Sequence, residues 1–211
     1  MTVPLSDRVW LRSALHEGAV EDLITAFGTQ STGQRVSGSL AGLTSVCTAI
    51  TAEFAGYAPV RLVAFQKTQK KSWHVPWHQD RVIAVQEKHD VEGYTNWSFK
   101  GDQWHCEPPI SVLSDMLFVR VFLDDCSAEV GGMMIARGSH ALGKVASESA
   151  EKHAANFVHE IEEARAGDIL ILPMLTLHKS NAGQNPSTRS VLRVDFARTK
   201  LPMPLAWQHF G

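Results

Sequence analysis

Apolar residues change their spacing near residue 60 of this 211-residue chain. Between residues 7 and 26 they recur at intervals typical of helices, and residues 43–54 repeat that pattern. Beyond residue 60 the apolar runs are short or alternating and are separated by turn residues, as in β-strands. The runs that predict strands cover residues 60–66, 82–86, 117–123, 133–136, 157–161, 169–172 and 191–197. The pattern therefore predicts helical support in about residues 1–57 and an antiparallel β core in about residues 58–200.

The segments between these runs complete the predicted architecture. Residues 28–42 are rich in Gly, Ser, Thr and Gln, which indicates a mobile loop, and residues 147–156 favour a helix. Residues 28–42 and 92–109 are expected to close over a substrate, because lids are commonly long and irregular. No repeat or linker marks a second domain. We predict one α+β, mainly β domain over residues 1–211, a jelly roll with N-terminal helices packed on one sheet.

Composition narrows the function classes. A net charge of −2 gives no electrostatic reason to expect nucleic acid or an anionic membrane as a partner. No apolar run approaches the roughly 20 residues that span a bilayer, and the N-terminus lacks the pattern of a signal peptide. Three separated cysteines favour neither a disulfide framework nor a zinc cluster. We expect a cytoplasmic protein that acts on a small molecule; the sequence does not indicate its oligomeric state.

A His-x-Asp triplet is the strongest chemical signal. His78 and Asp80 precede a predicted strand, and side chains at positions i and i+2 of a strand share a face. They can therefore offer an imidazole and a carboxylate to one ion. His178, which follows the apolar run 169–172, supplies a third ligand. Two histidines and one carboxylate leave open positions on the metal and are typical of iron(II) oxygenases.

Residues after His178 predict a co-substrate pocket. A turn containing Gly183, Asn185 and Pro186 returns the chain toward His178, so Arg189 can lie near the metal. A guanidinium there could hold the far carboxylate of 2-oxoglutarate in a bidentate pair. Ser180 shares the face of His178 and could add a hydrogen bond. The pair Gly167-Asp168 predicts a tight turn before the His178 strand, with the Asp168 carboxylate accepting turn amides.

Five blocks of the sequence, in this order, resemble the phytanoyl-CoA dioxygenase family. They are WHQD (77–80), FLDD (122–125), GGMMIARGSH (131–140), GDILI (167–171) and HKSNAGQNPSTR (178–189). The resemblance covers roughly residues 60–197 and implies a double-stranded β-helix. It also implies Fe(II) held by His78, Asp80 and His178, with 2-oxoglutarate anchored by Arg189 and O2 as the oxidant. Gln66 occupies the place of a polar co-substrate contact of the family.

The resemblance implies hydroxylation of a small organic molecule, with release of succinate and CO2. Related halogenases have a small residue in place of Asp80, so its carboxylate favours hydroxylation or a sibling oxidation. Candidate substrate contacts are the aromatic residues and cations near the predicted ligands: Trp73, Trp77, Arg81, Trp97, Trp104 and Arg120. Arg120 stands alone in an otherwise apolar strand, so it must be paired if it is buried. It would either brace an acidic residue or bind a substrate carboxylate.

Two other functions remain open at this stage. One is a non-catalytic metal-binding jelly roll that serves as a sensor or an interaction module, which would have no need of Arg189. The other is a zinc hydrolase, since two histidines and an aspartate also bind zinc. Such a site requires a general base nearby and offers no use for a co-substrate arginine.

Overall fold

A computed structural model describes residues 5–27, 34–36, 40–67, 74–181 and 189–210. Four short or medium helices lie in this part of the chain: α1 (Glu17–Phe27), α2 (Leu43–Glu53), α3 (Ile110–Leu113) and α4 (Ala150–Ala154). The strands are β1 (Val9–Leu11), β2 (Gln34–Val36), β3 (Ala58–Lys67), β4 (Val75–His78), β5 (Ile83–Val85), β6 (Thr95–Lys100), β7 (Gln103–Glu107), β8 (Met116–Phe122), β9 (Met133–Ala136), β10 (His159–Ile161), β11 (Ile169–Pro173), β12 (His178–Ser180) and β13 (Arg189–Ala197).

The strands form antiparallel sheets in jelly-roll order. The largest sheet has the order β1-β11-β8-β13-β3-β2, and a second has the order β10-β9-β12-β4. A third, smaller sheet joins β5, β7 and β6. The crossings between non-consecutive strands, such as β13 between β8 and β3, are those of a double-stranded β-helix. The predicted fold class is confirmed.

The six-stranded sheet has a core on each face. Its outer face packs against α1 and α2 through fully buried side chains such as Leu192, Val194 and Phe196, together with Val46 and Ile50 from α2. Its inner face packs against the other sheets through another set of buried residues. Because side chains of a strand alternate between faces, adjacent residues of β13 belong to different cores. Both faces of the central strands are therefore buried.

A glycine before β9 allows two neighbouring backbone segments to approach it closely. A Cβ atom added at Gly132 would lie 2.9 Å from both the Glu162 and the Ser127 carbonyl oxygens. Only glycine tolerates such an approach of one backbone to another. The backbone amide of Met133 donates a hydrogen bond of 3.2 Å to Glu162 Oε2. Gly132 thus fixes the start of β9 against the residue that carries the Glu162 carboxylate into the interior.

Several sequence predictions require correction. Val9–Leu11, predicted as helical, is the edge strand β1 paired with β11. Residues 92–109, predicted as an irregular lid, include β6 and β7 of a regular sheet. Within residues 28–42, Gln34–Val36 form β2 beside β3, while residues 28–33 and 37–39 lie outside the described residues. The predicted helix 147–156 is a 3-10 turn followed by the shorter α4.

The predicted turn before β11 is confirmed. The Asp168 carboxylate accepts the backbone amides of Ser13 at 2.8 Å and Arg165 at 3.0 Å, and Arg12 Nη1 lies 2.7 Å away. Burial acts to raise the pKa of Asp168, but these hydrogen bonds and the Arg12 charge outweigh it, and the pKa is lowered. The three cysteines are free thiols. Among the described residues, no helix is both long enough and apolar enough to span a membrane.

Candidate metal centre and co-substrate pocket

The three predicted metal ligands converge at the meeting of β4 and β12. These strands are antiparallel neighbours, with His178 directly opposite His78. Asp80 follows β4 two residues after His78. One ligand atom from each residue lies within 4.8 Å of the others. Two imidazole nitrogens and a carboxylate oxygen at this spacing suit a divalent transition metal with open positions.

Backbone carbonyls fix both imidazole rings. The Nδ1 atom of His78 lies 2.8 Å from the Pro76 carbonyl oxygen, and Nδ1 of His178 lies 2.9 Å from that of Thr176. A carbonyl can only accept, so Nδ1 carries the proton and Nε2 keeps its lone pair for a metal. Burial, with the neighbouring His178, lowers the pKa of His78 to about 4. His78 is therefore neutral near pH 7, as a metal ligand must be.

Gln79 anchors the backbone between His78 and Asp80. Its amide nitrogen donates to the carbonyls of Gly143 at 2.8 Å and Leu175 at 2.7 Å. Its amide oxygen accepts the Val145 backbone amide at 2.8 Å. These three bonds tie the turn to two separate loops. The carboxylate of Asp80 is thus presented on the same side as the ring of His78.

Asp80 is ionised and shared between two neighbours. Its Oδ2 atom lies 3.2 Å from His178 Nε2 and forms a close ion pair with Arg193 Nη1. Burial acts to raise the pKa of Asp80, but the charge of Arg193 and its hydrogen bond to the carboxylate outweigh it. The pKa is held well below its usual value. The carboxylate is therefore available as an anionic ligand across the physiological range.

A cavity of about 270 Å³ opens beside these ligands. Arg189 lines it and is only 4% exposed, and its Nε has no hydrogen-bond partner among the described residues. An unpaired buried donor is costly, so this guanidinium suits an anionic ligand. Ser180 lines the same cavity. The donor set at the triad thus fits iron(II), and the orphaned Arg189 donor fits the distal carboxylate of 2-oxoglutarate.

Glu162 joins Arg189 to Arg120, and we call these three residues the Glu162 cluster. Arg120 Nε lies 2.5 Å from Glu162 Oε1. The two residues form an ion pair, but these two atoms are not aligned for a hydrogen bond. Arg189 Nη1 lies 4.0 Å from Glu162 Oε2 and 3.4 Å from the Cys126 sulfur. Arg120 therefore points into the barrel and braces an acidic residue, while it also lines the cavity. Sequence reasoning had not identified Glu162.

A second set of charges, the Asp195 cluster, consists of Arg61, Asp195 and Arg193. Two nitrogens of Arg193 bind the Asp195 carboxylate at 2.7 and 2.9 Å, and Arg61 Nη1 lies 3.1 Å from Asp195 Oδ2. The Arg193 guanidinium also stacks 4.3 Å from the Phe118 ring centroid. Sequence reasoning missed this cluster. The sequence could have indicated it, because Arg189, Arg193 and Asp195 are separated by even numbers of residues in one strand and therefore share a face.

Four predicted contacts lie away from the cavity. The amide of Gln66 approaches Ser190 Oγ at 3.4 Å, and its neighbour Phe65 lines the cavity instead. Trp77 packs beneath α4, because it alternates with His78. Arg81 donates to the Val145 carbonyl, and Trp97 packs edge-on against Trp104. Trp73, another candidate, lies outside the described residues.

Three solved structures show how similar this fold is to those of other proteins. The non-heme alpha-ketoglutarate-dependent epimerase SnoN from nogalamycin biosynthesis is 17% identical, with a TM-score of 0.64 over 97% of this chain and 82% of that one. AviO1 from Streptomyces viridochromogenes Tue57 is 16% identical, with a TM-score of 0.61 over 93% and 92%. HygX from Streptomyces hygroscopicus, solved with nickel and 2-oxoglutarate, is 14% identical, with a TM-score of 0.60 over 91% and 82%.

At these identities the structural likeness establishes the fold. Among curated proteins, no sequence matches the chain. The profile of one protein family, described as phytanoyl-CoA dioxygenase (PhyH), matches residues 41–191, which is well over half of the 211 residues. That span includes all three triad residues and Arg189. The chain therefore belongs to the phytanoyl-CoA dioxygenase family, whose fold and site chemistry are of the iron- and 2-oxoglutarate-dependent oxygenase type.

Proposed function

We propose that this protein is an iron(II)- and 2-oxoglutarate-dependent dioxygenase that hydroxylates a small organic molecule. The observation that carries the proposal is the meeting of the His78, Asp80 and His178 ligand atoms with the buried guanidinium of Arg189 in one cavity. A sensor or interaction module would use the metal ligands but would provide no anionic ligand for the buried Arg189 guanidinium.

When bound, iron(II) with 2-oxoglutarate activates O2, so that one oxygen atom enters succinate as CO2 leaves and the other enters the substrate. The protein supplies binding and orientation. His78 and His178 present neutral Nε2 atoms because backbone carbonyls hold their Nδ1 protons. Arg189 would bind the distal carboxylate, and the adjacent Ser180 hydroxyl would support it. Phe118, whose ring lies 5.1 Å from that of His178, limits the access of water to this side of the site.

The first test is turnover without a substrate. Protein incubated aerobically with iron(II), ascorbate and 2-oxoglutarate should form succinate slowly, and His178→Ala should abolish this. His89→Ala is the matched control, because His89 is a histidine outside the cavity whose nearest charged partner is Glu87. A protein that forms no succinate, or in which His178→Ala is as active as His89→Ala, would be a different kind of metal protein.

The second test measures co-substrate binding without activity. With nickel in place of iron, calorimetry should show 2-oxoglutarate binding that Arg189→Gln weakens at least about tenfold, as expected for a lost charge-assisted hydrogen bond. Arg198→Gln is the control, since Arg198 is an arginine outside the cavity that forms a 2.6 Å ion pair with Asp115. Equal affinities in both variants would remove Arg189 from the role proposed.

Hydroxylation is distinguished from its sibling reactions by the product. Once a compound stimulates succinate formation, mass spectrometry under ¹⁸O₂ should show one labelled oxygen atom in the product. The fold also serves an epimerase and a carbocyclase in nogalamycin biosynthesis. A product that has lost two hydrogens, or that keeps its composition, would assign this chain to those reaction types instead.

A further inference from the structure

The cavity contains more positive than negative charge. Four guanidiniums line it, those of Arg61, Arg120, Arg189 and Arg193, and each residue is at most 6% exposed. Their carboxylate partners are Glu162, Asp195 and Asp80. The segments outside the described residues contain no Asp or Glu, so none of their side chains can supply a further carboxylate. Buried charges need partners, and one guanidinium exceeds the carboxylates here.

Binding of the proposed cofactors leaves this surplus in place. A divalent metal adds two positive charges, and 2-oxoglutarate, as a dianion, adds two negative ones. One uncompensated positive charge therefore remains in the loaded site. Lys179 also lines the cavity, although its Nζ lies 5.1 Å from the Trp77 ring centroid. Its charge would only enlarge the surplus.

The Glu162 cluster and the Asp195 cluster have the same composition. In each, two arginines share one carboxylate. Buried Nε atoms without a hydrogen-bond partner among the described residues belong to Arg120 and Arg189 in the Glu162 cluster and to Arg61 in the Asp195 cluster. The distal carboxylate of 2-oxoglutarate would satisfy the first cluster. Because 2-oxoglutarate has only one distal carboxylate, the Asp195 cluster would remain without such a partner.

The Asp195 cluster adjoins the metal ligands. Arg193 binds Asp195 on one side and forms the ion pair with Asp80 on the other. A metal bound by Asp80 would compete with Arg193 for that carboxylate, and Asp195 would then be the main counterion of Arg61 and Arg193. Burial first, and then the neighbouring Arg193, lowers the pKa of Arg61, which agrees with incomplete compensation of its charge.

We propose that the substrate carries an oxyanion, a carboxylate or a group of similar geometry, that binds to Arg61 and Arg193 beside the metal. This inference rests on the proposed dioxygenase function and names the class of its substrate. A guanidinium matches a carboxylate in shape and charge. The anion would hold the neighbouring carbon atoms of the substrate near the open positions of the metal. Uncharged molecules of the same size would lack this anchor.

The test uses nickel-loaded protein saturated with 2-oxoglutarate, so that Arg189 is already occupied. Acetate, benzoate and phenylacetate serve as probes, each compared with its primary amide at the same concentration. Binding is followed by calorimetry and by the increase in Tm. The carboxylates should bind and raise Tm, and the amides should not. In Arg61→Gln the carboxylate affinity should fall at least about tenfold, whereas the affinity for 2-oxoglutarate should remain within about twofold.

Arg61→Lys keeps the test valid if Arg61→Gln folds poorly. Lysine retains the positive charge opposite Asp195 but loses the planar fork and the Nε donor. It should fold normally and still bind the carboxylates more weakly than the unaltered protein. Arg198→Gln should bind them as the unaltered protein does.

Three results would overturn the inference while the dioxygenase function stands. Amides could bind as tightly as carboxylates, Arg61→Gln could keep its carboxylate affinity, or Arg61→Gln could lose 2-oxoglutarate affinity as strongly as Arg189→Gln. The last result would assign the Asp195 cluster to the co-substrate. Failure of the proposed function looks different, because 2-oxoglutarate itself would then not bind the nickel-loaded protein.

Discussion

The two faces of the six-stranded sheet are built from the same strands but differ in chemistry. On β13 the outward residues are Leu192, Val194 and Phe196, all fully buried under the helices. The inward residues include Arg189, Arg193 and Asp195, which are equally inaccessible. Burial is thus the same on both faces, yet the outward residues of β13 lie in a hydrocarbon core while these inward residues form a network of ions.

This difference separates stability from binding. Apolar burial is the dominant favourable contribution to folding, so the outward residues of β13 stabilise the fold more than its inward charges do. Buried ion pairs contribute little net stability, because desolvation offsets their attraction. Breaking one is nevertheless costly, since it leaves a charge without a partner. The inward charges of β13 are therefore sensitive to mutation while adding little stability, as expected of a binding site.

The largest effect is expected when Asp195 loses its charge. Asp195→Asn removes the buried counterion that Arg61 and Arg193 share and leaves Arg193 with Asp80 alone, and it should lower the free energy of unfolding by about 3–5 kcal/mol. Denaturant titration measures this loss. The double variant Arg61→Gln/Asp195→Asn should recover part of it, because one of the stranded cations is then absent. If the two losses simply add, the cluster is not an electrostatic unit.

A smaller effect on stability is expected from substitutions at adjacent positions of β13, which compare the outer face with the inner face. Leu192→Ala should reduce the free energy of unfolding by about 3 kcal/mol by opening a cavity in the outer core, without changing 2-oxoglutarate affinity. Val191→Ala, on the inner face between Arg189 and Arg193, removes less volume but should weaken 2-oxoglutarate binding. Denaturation and calorimetry on the nickel-loaded proteins measure both. Equal binding losses in the two variants would mean that the faces are not independent.

The smallest effect on stability is expected for Asp168, which lies just before the start of β11 and on neither face of the six-stranded sheet. Its folded-state pKa lies below the unfolded value, so its stabilising contribution is present above about pH 4 and is lost as the pH falls through the lower folded value. Asp168→Asn should cost about 1–2 kcal/mol at pH 6. Denaturation at a series of pH values should show that deficit shrinking below pH 4. A deficit independent of pH would assign it to packing.

Much of this site could be predicted from local sequence. The spacing of His78 and Asp80 predicted that the two side chains share a face, and both line the cavity, although Asp80 lies just beyond β4. Alternation also explains why two of the predicted contacts lie away from the cavity, because Trp77 and Arg81 have the opposite parity to His78 and Asp80. Gln66 lies away from it for the same reason, and its neighbour Phe65 lines the cavity.

Other features depended on partners distant in the sequence. Val9–Leu11 has apolar spacing compatible with a helix, yet pairing with β11 at the sheet edge makes it a strand. Residues 92–109 were predicted to be irregular, yet the pairing of β6 with β7 makes much of this segment a regular sheet. Glu162 has no local motif, and it becomes important only because β9 and the close approach at Gly132 carry it to Arg120 and Arg189.

The sequence by itself determined the jelly-roll class, and it predicted a metal-binding triad and Arg189 as the co-substrate contact, because strand periodicity and short-range spacing fix which side chains share a face. Only the tertiary structure decided which charges meet inside the barrel. Arg61 and Asp195 are 134 residues apart, and their contact depends on the register between β3 and β13. Periodicity along a single strand carries no information about that register, and so the balance of charge in the cavity could not be known before the fold.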